Sequence, residues 1–98
     1  MDYKIIWSPD ALDDIEAIAK YISRDSEFYA ESTVLKIYEV PQSLVNFPKR
    51  GRVVPEIGNE NIREIFSFQY RIIYEIKCNE IHILTVIYGK QLLDKNQI

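Results

Sequence analysis

Apolar residues along this chain recur with two different periods, and the switch between them separates a helical first half from a strand-rich second half. Residues 2–7 alternate, with Tyr3, Ile5 and Trp7 on one face and Lys4 and Ile6 on the other, which predicts a short strand. At Ser8-Pro9 the period changes. Ser8 is suited to cap a helix, and Pro9 fits the first helical position, where its missing N–H is not needed. Asp10, Asp13 and Asp14 follow in the first turns, where the helix dipole favours negative charge. Leu12, Ile15, Ile18, Ala19 and Ile22 then recur at helical spacing as one apolar stripe. Residues 23–26 are polar and predict a tight turn, with Ser26 as the cap of a second helix running to about residue 46. The stripe of that helix is Ala30, Val34, Ile37, Tyr38, Leu44 and Val45. Pro41 interrupts it, removes one backbone donor and predicts a bend.

The second half begins with a loop over residues 48–55 and continues with three predicted strands at 61–66, 70–77 and 80–88. Cys78-Asn79 between the last two is short enough for a hairpin. Ile81, Ile83, Leu84, Val86 and Ile87 make the last strand almost continuously apolar, the signature of a strand covered on both faces and therefore central. The order of strand, two helices and three strands predicts an α+β fold. An N-terminal strand leads into a helical hairpin and then a three-stranded antiparallel meander, with the helices packed on one face of the sheet and the other face partly open. The tail around Leu92 and Leu93 carries no readable pattern.

Composition narrows the class. Ninety-eight residues, 47% hydrophobic and 28% charged, fit one globular domain over 1–98. A domain this small buries only roughly 60–65% of its unfolded surface, so a partner covering apolar area would stabilise it. The single cysteine, Cys78, excludes an internal disulfide, and His82 has no second ligand at metal spacing. No cofactor or metal is expected. Residues 1–8 do not resemble a signal peptide and no apolar run is long enough to span a bilayer, so a cytoplasmic protein without membrane contact is expected. The net charge of −3 counts against a chain whose main task is gripping phosphates, and direct nucleic-acid binding is not favoured. The cations are nonetheless concentrated: Lys49, Arg50 and Arg52 fall within four residues.

Three stretches carry an arginine in or beside an apolar strand, where a charge is costly unless paired or aimed outward. They are Arg50-Gly51-Arg52-Val53-Val54-Pro55-Glu56, Ile62-Arg63-Glu64-Ile65 and Tyr70-Arg71-Ile72-Ile73-Tyr74. Taken in this order after Trp7-Ser8-Pro9-Asp10-Ala11, and with Phe47-Pro48-Lys49-Arg50-Gly51-Arg52 as a junction, they resemble the ParE/RelE superfamily of toxins. The resemblance runs from Trp7 to about Lys90. It implies a curved antiparallel sheet carrying two helices, and an antitoxin whose C-terminal segment wraps the toxin.

The superfamily divides by activity: RelE-like members cut messenger RNA on the ribosome, whereas ParE-like members poison DNA gyrase. Arg71 matches an arginine that RelE-like nucleases use to hold phosphate, but ParE-like chains carry it too. Glu64 stands where the nucleases tend to carry a catalytic lysine, and Gln91 where they have a functional arginine. Residues 94–98 offer no tyrosine to match the nuclease tail. A metal-free ribonuclease must stabilise a dianionic phosphorane and protonate the leaving oxygen, so both replacements weaken the match. Tyr88 is the remaining acid–base candidate, with core or rim packing as the alternative.

The resemblance therefore favours a ParE-like toxin and plasmid-stabilisation protein that binds DNA gyrase, more a binding protein than an enzyme. The runner-up is a RelE-like endoribonuclease with Arg52, Arg63, Arg71 and Tyr88 as its working set. A degenerate toxin keeping only antitoxin binding is a third reading. Lys49, Arg50, Arg52, Arg63, Arg71, Tyr88 and Lys90 are the candidates for target or antitoxin contact. Most have a structural alternative: a solvated loop for Lys49, Arg50 and Arg52, an exposed ion pair for Arg63-Glu64, and a pair with Glu56, Glu64 or Glu75 for Arg71. The nuclease reading requires Arg63, Arg71 and Tyr88 to converge in one electropositive cleft.

Overall fold

β1 (Lys4–Trp7) lies parallel to β5 (Glu80–Tyr88), so the first strand of the chain runs beside the last. In the computed structural model, which describes residues 2–94 and 96, the sheet has the order β1-β5-β4-β3-β2. β4 (Tyr70–Lys77) pairs antiparallel with β5 and with β3 (Ile62–Ser67). β5 is flanked by β1 and β4, as its apolar run predicts. The α+β architecture stands, but the sheet is mixed rather than antiparallel throughout, since β1 runs parallel to β5, and it has one further strand. Arg52–Val53, inside the segment expected to be a loop, forms the short edge strand β2 against Arg63 and Glu64.

α1 (Pro9–Ser23) starts where Ser8 Oγ accepts the Ala11 N–H at 3.0 Å, and α2 (Glu27–Glu39) where Ser26 Oγ accepts the Tyr29 N–H at 3.2 Å. The second helix is shorter than expected. Pro41 cannot donate to the preceding turn, so the chain tightens into a 3-10 helix over Val40–Val45 instead of continuing as a bent α-helix. The stripe of α1 is also rotated: Ala11, Ile15, Ile18 and Ile22 face the sheet, while Leu12 is exposed. The fully buried Ala11 lets the first turn approach β5 closely.

A bulge in β5 organises the contact with α1. Ile73 pairs with Thr85 and Tyr74 with Ile83, which leaves Leu84 as an extra residue. Backbone groups freed there are taken up by α1. Ser8 Oγ donates to the Leu84 carbonyl at 2.9 Å, and the Asp14 carboxylate accepts the Val86 N–H at 3.0 Å and the Thr85 hydroxyl at 2.6 Å. The bulge also puts Leu84 and Val86, two positions apart, on opposite faces. Val86 packs beneath the helices, and Leu84 joins a second apolar cluster.

That second cluster overturns the partly open face. Val54, Ile62, Ile73, Ile87 and Leu93 pack together on the side of the sheet away from the helices, roofed by the segment after β2 and by the C-terminal residues. On the helix side, Tyr74 is fully buried among Ile37, Leu44, Ile72, Ile81 and Ile83. Its hydroxyl donates to the Pro48 carbonyl at 2.7 Å and accepts the Gly51 N–H at 3.0 Å, fixing the loop that leads into β2. Gly51 has no room for a side chain: a Cβ would stand 2.5 Å from the Glu64 carbonyl oxygen. Replacing Tyr74 with Phe should leave two buried backbone groups unpaired and cost about 1–3 kcal/mol. Thermal unfolding would show a melting temperature lowered by several degrees with the native fold retained; an unchanged Tm would contradict the role given to this hydroxyl.

Candidate functional site

Arg71 lies in the middle of the second apolar face, only 4% exposed. Its Nε donates to Glu64 Oε1 at 2.6 Å, and Nη2 lies 2.5 Å from the same oxygen. Nη1 and Nη2 reach the two oxygens of Glu56 at 2.8 and 2.9 Å, and Nη1 also donates to the Gln91 carbonyl at 3.1 Å. The guanidinium is thus held by two carboxylates and a carbonyl. Glu64, 1% exposed, is bound on its other oxygen by Arg52 Nε. Sequence reasoning had Arg71 facing either a target or Glu56, Glu64 or Glu75; the structure pairs it with Glu56 and Glu64.

The protonation states follow from this packing. Hydrogen bonding to Arg71, with help from the Leu93 N–H at 3.0 Å, holds the Glu56 carboxyl down at about 2, against 4.5 for the ordinary group. The Glu56 carboxylate raises Arg71 above its usual value, in spite of burial. Burial likewise pushes the Tyr74 phenol up.

The expected exposed Arg63–Glu64 pair does not form. Neighbours in a strand face opposite ways, so Glu64 turns to Arg71 while Arg63 shares a side with Ile65 and Tyr74. Its guanidinium donates to the carbonyls of Glu60 at 2.8 Å, Gly51 at 2.9 Å and Lys49 at 3.3 Å. Tyr88 sits opposite Tyr70 in register, on the helix side, with ring centroids 6.2 Å apart. Arg71, next to Tyr70 in the strand, points the other way. The geometry therefore does not bring Arg63, Arg71 and Tyr88 together. Lys49 and Arg50 are exposed on a 3-10 turn, Pro48–Arg50, and Lys90 is exposed just beyond β5. Arg52 is mostly exposed and stacks its guanidinium 5.6 Å from the Phe66 ring.

This arrangement can hold loops to a sheet, but it offers no cation free to bind a phosphate at its centre. Among the described residues no cluster of His, Cys, Asp and Glu could hold a metal ion, and no helix is long and apolar enough to cross a membrane. A different surface is open. Between α1 and α2, on the outside of the hairpin, runs a groove of about 660 Å³ with Ala19, Ala30, Val34 and Leu35 along it and Lys20 and Glu31 at its margins.

Residues 5–93 match the family described as ParE toxin of type II toxin–antitoxin system, parDE. The chain belongs to this family. It is 28% identical over 90 residues to Toxin RelE2 of Caulobacter vibrioides, covering 91% of this chain and 98% of that protein. Among solved structures it superposes on a chain of the chromosomal ParDE system from P. aeruginosa with a TM-score of 0.75 at 21% identity, covering 90% of this chain and 97% of that one. A chain of the RelBE2 toxin–antitoxin complex of Mycobacterium tuberculosis superposes with a TM-score of 0.66 at 17% identity, covering 90% and 92%. E. coli RelE in the free state, carrying two arginine substitutions, gives 0.63 at 13% identity, over 92% and 86%. Membership in the ParE family makes this chain the toxin of a type II toxin–antitoxin system, with the fold common to ParE and RelE toxins.

Two contributors to the buried cluster were not singled out from sequence. Leu93 belonged to a tail without pattern, and Glu56 was one of three acidic candidates.

The acid limb of stability tests the cluster. Because the Glu56 carboxyl is depressed in the folded chain, its contribution is present above about 4.5 and is lost as pH falls toward about 2. Glu56→Gln should therefore flatten the loss of stability across this window and lower stability at neutral pH. Denaturant melts at pH 7, 4 and 2.5 would check it; parallel curves for parent and variant would reject the assignment.

Proposed function

We propose that this chain is a ParE-like toxin acting in the cytoplasm by binding DNA gyrase, and that a cognate antitoxin neutralises it by covering the outer groove of the helical hairpin. The observation that carries this reading is the sealing of Arg71. A nuclease needs its phosphate-binding cation free and its acid–base group beside it, whereas Arg71 is neutralised by Glu56 and Glu64 and Tyr88 lies across the sheet. The likeness to the ParDE system of P. aeruginosa supports the same side of the superfamily. The name of the Caulobacter relative, a RelE toxin, favours the ribosome-dependent nuclease instead, and the test below separates the two.

The groove between α1 and α2 suits an antitoxin. Ala19 and Ala30 are small enough for a helix to approach, and Leu35, 61% exposed, offers an apolar anchor. Its charged margins would select an amphipathic rather than a wholly apolar segment. Both solved relatives named as ParDE and RelBE2 belong to toxin–antitoxin systems, which supports a partner of this kind.

Induced expression of the chain alone should stop DNA synthesis before translation, with filamentation. An early halt in translation with codon-dependent cuts in message would replace this reading by the nuclease, and unimpaired growth at good soluble yield would favour a toxin that keeps only antitoxin binding. Leu35→Asp should weaken antitoxin binding at least tenfold, as for an interface anchor, with Tm almost unchanged because the side chain is exposed. Calorimetric titration of the antitoxin's C-terminal segment would measure it, and undiminished affinity would move the antitoxin elsewhere.

A further inference from the structure

Two other grooves meet at the β3–β4 turn. One, of about 600 Å³, lies between α1 and the end of β5 and includes Tyr21, Tyr70 and Tyr88. The other, of about 320 Å³, lies between the helices and the turn and includes Tyr29 and Phe68. Gln69 and Tyr70 line both, so the two form one continuous belt. Among the described residues neither is lined by a lysine or arginine, and Asp14 is the one charged residue along them; its carboxylate already accepts Thr85 and Val86.

Phe68 stands out within this belt. It is the first residue of the two-residue turn closed by Ser67 and Tyr70, and its φ is +53°, in the left-handed region that a bulky side chain avoids. Glycine would occupy the position without strain. The phenyl ring is 71% exposed, so packing within the fold does not offset the strain. Strained, exposed residues of this kind gather at binding sites. Around it Tyr21 is 69% and Tyr29 66% exposed, an aromatic surface of the sort on which protein-binding free energy concentrates.

We infer that this neutral aromatic belt is the surface that holds the toxin's protein target, and that its occupant is an uncharged, apolar segment of that protein. The charge character selects the occupant. A nucleic acid laid here would meet no lysine or arginine among the described lining residues to neutralise its phosphates, and a charged peptide would be desolvated without a partner. The antitoxin groove differs in having Lys20, Glu27 and Glu31 beside it, which suits a charged amphipathic helix. The assignment rests on the reading above that the target is a protein.

The test uses the full chain, its Phe68→Gly variant and its Tyr21→Ser variant, with purified DNA gyrase as the probe. Antitoxin binding, growth arrest and oligomeric state are measured beside it. Phe68→Gly removes the ring at a backbone conformation glycine prefers, so it should fold at least as readily as the parent. It should bind gyrase roughly tenfold or more weakly and bind antitoxin unchanged; Tyr21→Ser should act in the same direction. Unchanged gyrase binding in both variants would overturn the inference. So would an equal loss of antitoxin binding, which would make the belt an antitoxin surface, or a parental dimer that Phe68→Gly dissociates. If the parent arrests growth without binding gyrase, the gyrase reading fails alone. The belt is then supported if Phe68→Gly abolishes arrest at equal soluble level and overturned if it does not. A parent that cuts message, or that leaves growth untouched, overturns both.

Discussion

The buried pairing of Arg71 with Glu64 and Glu56 is the constraint on which one whole side of the molecule depends. A guanidinium and two carboxylates removed from water are tolerated only when their charges and hydrogen bonds are matched, and removing one partner leaves an uncompensated charge at a cost of about 3–5 kcal/mol. Here the match is assembled from four segments of chain. β4 supplies Arg71, β3 supplies Glu64, the segment after β2 supplies Glu56, and the C-terminal residues supply the Gln91 carbonyl and Leu93 N–H. Satisfying one arginine therefore fixes the roof over the second apolar cluster. The same contacts engage every nitrogen of its guanidinium.

The two faces of the sheet consequently do different things. The helix side is an ordinary apolar core in which Tyr74, with Arg63 on the same side, reaches out to organise the loop before β2, and where the β5 bulge is satisfied by the cap residue Ser8 and by Asp14 of α1. The other side is a small apolar cluster stapled by charge. With both faces closed, what remains for partners is the outer surface of the helical hairpin, the basic loop at Lys49, Arg50 and Arg52, and the aromatic end of the molecule around the β3–β4 turn. Those three surfaces differ in charge: amphipathic, cationic and neutral.

The sequence by itself determined the two α-helices, four of the five strands, their order and the fold class. Helix caps at Ser8 and Ser26 and the strand alternation are local properties, written within a few residues of where they act. The doubly apolar run of β5 likewise marked it as an interior strand, flanked by β1 and β4, although the middle strand of the five is β4. The ordered motifs also carried the superfamily. Even so, the Leu84 bulge shifted the facing of β5, and Pro41 turned a predicted bend into a 3-10 helix. Only the tertiary structure decided which charges meet. Whether Arg71 takes Glu56, Glu64 or Glu75, and whether Arg63 and Tyr88 join it, depends on the facing and register of strands joined by long-range pairing. Leu93 takes its place through contacts far away in sequence, its N–H on Glu56 and its side chain against Val54, Ile62, Ile73 and Ile87. Charges interact through space, and no spacing along the chain encodes that distance.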